Sequence, residues 1–390
     1  MFKEFADLKH VRGFKGAIFP LSIAFFIYTF GWGITAPMFS IFVNNVTGNL
    51  FLTGVILSIT TMMGVFLNFP FGLLESKLNI KRVLQITLLV YSVMALLYPF
   101  ANNVISLLSI SIIRGIASSF LWLTSWSYIF YYAKSKAKGK ETGFFSSMND
   151  FASAISPVLG GAVAILSFFL PFYLLSATSF VSFIIISRYI KEKPKSVSTS
   201  LKKQIHTLSR YIENKHFIKT ILVVVAFYAI INVYYSFIAV FLNLEGISIF
   251  LIGVLLTISL LITVVLEVPI GNLIDKHGIR KMLSIGVIGS CVAGIAFALY
   301  SNIVYLLIAI SVFTIFYTVI FIGLYSRMSD IIKKDKTAMT GAIATFKDAG
   351  YTIGPLVAGF AMNYVSIKEV FIATALMFII LLPITASLHD

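Results

Sequence analysis

Apolar runs of helix-spanning length recur along this chain from residue 16 to residue 388, and they constrain its fold more than any other feature. A helix needs about 20 such residues to cross the hydrocarbon core of a bilayer. The runs lie at 16–43, 50–74, 82–101, 103–133, 141–167, 169–190, 216–243, 249–273, 281–301, 303–330, 338–363 and 366–388, which predicts twelve transmembrane helices. They are continuous and do not alternate with period two in blocks of about ten, as the strands of a membrane barrel do. Only 12% of residues are charged, against about 25% in a soluble domain. Lys3, Lys9, Arg12 and Lys15 precede the first run as in a secretory signal. That run is too long for one and no small-residue cleavage site follows closely, so it reads as the first span.

The formal charge of +15 would point to nucleic acid in a soluble protein, so its placement has to decide. All Lys and Arg except Lys368, Arg114 and Lys347 fall at the N-terminus and in alternate loops. This bias predicts a multi-pass protein of the cell membrane with both termini in the cytoplasm. The basic surplus is then a topology signal and a handle on anionic lipid, not a nucleic-acid footprint. Cys291 is the single cysteine and reads as a small core residue. Asn45-Val-Thr47 is a glycosylation sequon of a kind that often arises by chance.

Residues 191–215 are the one long polar stretch and divide the spans six and six. The expected organisation is an N-terminal bundle over 1–190, a linker over 191–215 and a C-terminal bundle over 216–390. Leu201, Ile205, Leu208 and Ile212 share one face, so the linker is either a surface helix or an ordinary tether. The halves repeat. Pro70, Gly72 and Lys81-Arg82 correspond to Pro269, Gly271 and Arg280-Lys281 at an offset of 199, and Thr142-Gly143, Asp150, Pro157 and Gly161 to Thr340-Gly341, Asp348, Pro355 and Gly359 at 198. A repeat of six helices with Gly and Pro interruptions at matching places is the pattern of secondary transporters with a site between the halves.

"GNLIDKHGIRK" resembles the loop signature of the major facilitator superfamily, through Gly271, Asp275, Gly278, Arg280 and Lys281. The first-half copy, "GLLESKLNIKR", departs from it: Ser76 and Asn79 replace the aspartate and second glycine, and Glu75 stands one residue early, while Gly72, Lys81 and Arg82 match. "DFASAISPVLGG" (Pro157, Gly160, Gly161) and "DAGYTIGPLVAG" (Gly354, Pro355, Gly359) resemble the helix-five signature of the family, and Pro37 stands where its drug-efflux members carry a proline. The resemblance implies an all-α fold of two pseudo-symmetric six-helix bundles. It also implies that Asp275 and Arg280 latch one half to the other; a tight turn with topology anchors is the plainer reading.

Arg114 and Asp150 each sit near the membrane mid-plane, the former about 15 Å along the fourth helix. An intramembrane charge is costly unless paired, so an Arg114–Asp150 ion pair is expected. Asp150, Glu267 and Asp348 are the proton-coupling candidates, since a carboxyl group held away from water is a natural place for a proton to bind and leave. Substrate-facing helices in this family are the first, fourth, seventh and tenth. They carry Tyr28, Trp32 and Thr35; Arg114, Ser118, Trp122 and Trp126; Tyr228, Asn232 and Tyr235; and Thr314, Tyr317, Phe321 and Tyr325. Aromatic stripes usually serve packing, but four faces mixing rings with hydroxyls or an amide predict an amphipathic cavity. It suits an apolar, neutral or anionic organic compound better than a polycation.

No histidine pair, cysteine partner or phosphate loop supports enzyme chemistry, metal or cofactor binding. The expectation is a monomeric secondary transporter exporting a small organic compound against protons. Uptake of a metabolite on the same fold is the alternative, and a membrane enzyme or channel the alternative from another class.

Overall fold

The structure, a computed structural model, describes residues 18–74, 78–132, 138–192, 213, 215–299, 302–331 and 336–386. Its twelve long helices are α1 (Ile18–Thr47), α2 (Leu50–Leu74), α3 (Ile80–Leu97), α4 (Val104–Tyr132), α5 (Lys138–Leu166), α6 (Leu170–Tyr189), α7 (Lys215–Leu244), α8 (Ile249–His277), α9 (Ile279–Leu299), α10 (Ile303–Ile331), α11 (Lys336–Ala361) and α12 (Ile367–Ala386). A single 3-10 turn, Tyr98–Phe100, follows α3. Among the described residues, ten of the helices are long and apolar enough to span a membrane by length and composition. The helices agree with the expected spans, and the amphipathic reading of the linker falls outside the described residues.

Local chemistry sets the helix ends. Asn79 accepts from the Arg82 amide (3.1 Å) to start α3, and Ser248 accepts from Leu251 to start α8. Gly278 ends α8 at φ 83°, a backbone shape that any side chain would strain. Helices apolar on all sides belong in hydrocarbon, and the outward faces match: Ile105, Leu166, Val268 and Ile380 are among the large apolar side chains left exposed.

Each half has its own core. Phe25, Tyr28, Leu84, Tyr91 and Leu121 fill one part of the first half, and Phe42, Tyr98 and Phe172 another. In the second half Phe227, Phe237, Phe241, Phe297 and Phe371 belong to one continuous cluster, which Ile41 of α1 joins. Two helix pairs, α2 with α11 and α5 with α8, form the main seams between the halves. We call the end of the bundle where α6 leaves and α7 begins the linker end, and the opposite one the far end.

Candidate functional site

Both seams are built from glycine against proline-bearing helix, and each is the repeat image of the other. A Cβ on Gly54 of α2 would lie 2.4 Å from the Pro355 carbonyl oxygen, and one on Gly253 of α8 would lie 2.4 Å from that of Pro157. Gly161 likewise abuts Ile249 and Phe250, as Gly359 abuts Leu50 and Phe51. Only a missing side chain allows backbones this close. Proline removes one helix donor and loosens the ladder beside it; here the Val158 amide donates 2.9 Å to Thr257 Oγ1 across the α5–α8 seam. Gly160 presses on Ile34 of α1, and Gly354 on Ala229 of α7. The helix-five signature is therefore a close-packing device on both sides of the molecule. These contacts run from the far end to about mid-depth, where the seams turn polar.

At that depth Asn68 donates 2.7 Å to the Asp348 carboxylate, with Gly64 leaving room for it, and Thr352 donates 3.0 Å to Thr61. The repeat offset of 199 carries Asn68 onto Glu267. On the other seam the matching position is Glu267 of α8, half-buried, and the charge of Asp150 on the facing helix α5, itself exposed, bears on it unfavourably. Neither carboxyl has a hydrogen bond or ion pair among the described residues. The seams thus carry an amide against a carboxylate on one side and a carboxyl against a carboxyl on the other.

The expected Arg114–Asp150 ion pair is absent. Arg114 is 6% exposed inside the first half, donates 2.9 Å to Thr60 and lies over the Phe39 ring (4.5 Å to the centroid) with Tyr98 behind it (5.7 Å). Depth along a helix follows from residue number, but azimuth does not: Arg114 turns toward α1 and α2, whereas Asp150 turns toward α8.

The first-half cavity faces need a related correction. Tyr28 is buried against Phe25 and Tyr91 instead of lining a cavity. Trp122 packs edge-on against Phe25, Trp126 against Phe145, and Thr35 donates to the Trp32 carbonyl. Trp32 (45% exposed) stays open, and Ser118 is half-buried. Pairing with neighbouring rings explains the loss, since offset and edge-on aromatic contacts are favourable in a core.

The second-half faces converge. Tyr235 donates to Tyr317 (3.4 Å), Tyr317 meets Phe321 and Phe321 meets Tyr325 in tilted ring contacts, and Thr314 shares a 2.7 Å hydrogen bond with Ser259. Asn232 donates to the Tyr351 carbonyl, and the Tyr351 ring meets Tyr228 at 4.8 Å. Over the opposite part of Tyr228 sits the Lys347 ammonium, 5.8 Å from the ring centroid. Tyr235 and Tyr325 are 43% and 44% exposed, but Tyr228, Thr314 and Tyr317, expected to line a cavity, are buried in the second-half core as Tyr28 is in the first. A cavity of about 30 Å³ lies deeper, bounded by Tyr235, Tyr317, Thr314 and Phe313, with room for water and not for an organic ligand.

In the loop signature, Gly271 has open space around it, and Asp275 and Arg280 are exposed and make no ion pair among the described residues. In the first-half copy, Lys81 and Arg82 lie in the first turn of α3 and Gly72 in the last turn of α2. Glu75 lies outside the described residues.

Comparison with known proteins bears on all of this. The family model described as Major Facilitator Superfamily matches residues 21–253 and again 220–388. The chain belongs to the major facilitator superfamily. An MFS-type transporter of Methanocaldococcus jannaschii is 24% identical over 277 residues, 69% of this chain and 71% of that protein. Multidrug resistance protein 2 of Bacillus subtilis is 23% identical over 299 residues, 72% of each. Among solved structures, a bacterial homologue of the human lysosomal transporter Spinster superposes with a TM-score of 0.79 at 14% identity, covering 95% of each chain. As a member of the major facilitator superfamily the protein is a multi-pass membrane transporter and not an enzyme, and efflux-type proteins are among its relatives.

Three participants escaped the sequence reading: Asn68, Gly54 and Lys347. The first two were marked by the offset of 199 that also relates Pro70 to Pro269. Lys347 was visible only as one of the three bases outside the N-terminus and the basic loops.

Proposed function

We propose that this transporter exports an amphipathic organic compound in exchange for protons, by exposing a cleft between its halves alternately to the two sides of the cell membrane. The observation that carries the reading is the uncompensated pair Asp150 and Glu267 across the α5–α8 seam. Two like charges on packed membrane helices are easier to accommodate when one of them carries a proton. A proton that decides whether a seam closes is a coupling device. Asp348 is the lesser candidate, because an amide donor already satisfies its carboxylate.

The positive-inside bias supports a cytoplasmic linker end. With seams closed toward the far end and the loop signature disengaged, the cleft is then open to the cytoplasm, the side from which an exporter loads. The mixed aromatic and hydroxyl lining suits an amphipathic compound, and the relative named for multidrug resistance supports the direction.

Reconstituted vesicles with an imposed pH gradient test this. An amphipathic dye should be driven against its gradient, with protons moving the opposite way. Asp150→Asn and Glu267→Gln should each abolish gradient-driven flux while leaving dye binding intact, and Asp348→Asn should reduce it less. Protons moving with the dye would indicate symport, and undiminished flux in both amide variants would exclude this pair as the coupling site.

A further inference from the structure

Lys347 is a cation about 16 Å along α11 from its linker-end start, by the helical rise of 1.5 Å per residue, and no anion pairs with it among the described residues. It makes no ion pair or hydrogen bond among the described residues. Its one acidic neighbour, Asp348, points about 100° away round the helix and is bound by Asn68 across the seam. What surrounds the ammonium instead is tyrosine: Tyr228 beneath it at 5.8 Å, Tyr325 reaching from α10, and Tyr351 one turn along α11 against Tyr228. Tyr228 is buried (3% exposed), whereas Tyr325 is 44% exposed and Lys347 and Tyr351 are half-buried, so these last three keep accessible surface.

A charge held at mid-depth of a membrane helix persists when it has a use, because keeping it there is costly. The ring faces relieve part of that cost. They do not supply the anion that an ammonium prefers. Arg114, the other cation at this depth, is sealed inside the first half by Phe39 and Tyr98 and does not reach the cleft.

We propose that Lys347, Tyr325 and Tyr351, set against the buried Tyr228 ring, form a binding site for an aromatic organic anion, the ammonium taking its carboxylate or sulfonate and the accessible Tyr325 and Tyr351 rings its apolar body. The inference rests on the reading of the chain as a carrier of amphipathic compounds and narrows it to those with one negative charge. Lys347 sets the charge preference and the tyrosines, which every aromatic compound can stack on, set the affinity common to all.

The test uses the full-length protein in a neutral detergent and three probes of one ring system: naphthoate, naphthalenemethanol and naphthylmethylammonium, titrated calorimetrically. The anion should bind about tenfold more tightly than the neutral alcohol, the effect of one partly desolvated charge pair, and the cation most weakly. Lys347→Gln should bring the anion down to the alcohol while leaving the alcohol unchanged, which also shows that the variant is folded; Lys347→Arg should keep the preference. Equal or tighter binding of the cation, or an anion preference that survives Lys347→Gln and disappears in Arg114→Gln, would overturn the assignment. Flux separates this from the broader reading. A protein that drives neutral and cationic dyes but shows no anion preference refutes the Lys347 site alone, whereas one that binds the anion selectively and moves nothing refutes the transport reading alone.

Discussion

At the scale of single residues, Arg114 shows how a membrane protein keeps a buried charge without a counter-ion. It holds one hydroxyl and two ring faces. A desolvated cation–π contact contributes about 2 kcal/mol and the hydroxyl bond about 1–3 kcal/mol, against a burial cost of about 3 kcal/mol at mid-membrane. These terms nearly cancel. Arg114→Met, which preserves volume, should therefore leave thermal unfolding in detergent almost unchanged, while Arg114→Ala, which opens a cavity, should lower the midpoint clearly. A large loss with methionine would mean that the charge itself holds the first half together. The residue also marks where sequence reasoning stops: its depth was legible from a helix start and a rise, but its partners come from α1 and from the turn after α3, whose orientation no pattern in the sequence encodes.

At the scale of elements, the seams explain why glycine and proline recur at matched positions. Gly54 and Gly253 each face the carbonyl of the repeat-related proline at a distance no Cβ tolerates. Even Gly253→Ala must push α8 off α5, at about 1–3 kcal/mol for an overpacked contact. We expect Gly54→Ala and Gly253→Ala to weaken closure at the far end, read as faster labelling of cysteines introduced beside each seam in a Cys291→Ser background. Gly278, at φ 83°, should be less tolerant of alanine than Gly271, which lies in a helix with open space around it. Helix existence was plain in the sequence because twelve apolar runs leave little choice. Which face of each helix met which neighbour was not, and this is why Tyr28, Tyr228 and Tyr317, read as cavity residues, are core and Trp122 packs against it, while Tyr235 and Tyr325 stay exposed.

At the scale of the molecule, the loop signature and the seams act at opposite ends. With the far end packed, Asp275 and Arg280 have no partner within the described residues; a latch at the linker end is expected to engage when the far end opens. Asp275→Asn should then slow cycling more than Glu75→Gln, since the second-half copy alone retains the full motif, and the reverse ranking in a vesicle transport assay would overturn that role. Joining Phe51→Cys to Phe360→Cys, whose rings are 6.1 Å apart across the α2–α11 seam, with a short thiol cross-linker should trap the protein in the present form and stop transport.

The two seams descend from one repeated unit, yet position 68 is an amide where position 267 is an acid. An amide can hydrogen-bond a carboxyl group with or without its proton, so closure of the α2–α11 side is expected to be indifferent to pH, whereas closure of the α5–α8 side, lined by two acids, is expected to need a proton. Both edges are expected to part as the halves rock, but only one is keyed to pH, like a door with two bolts of which one alone takes a key.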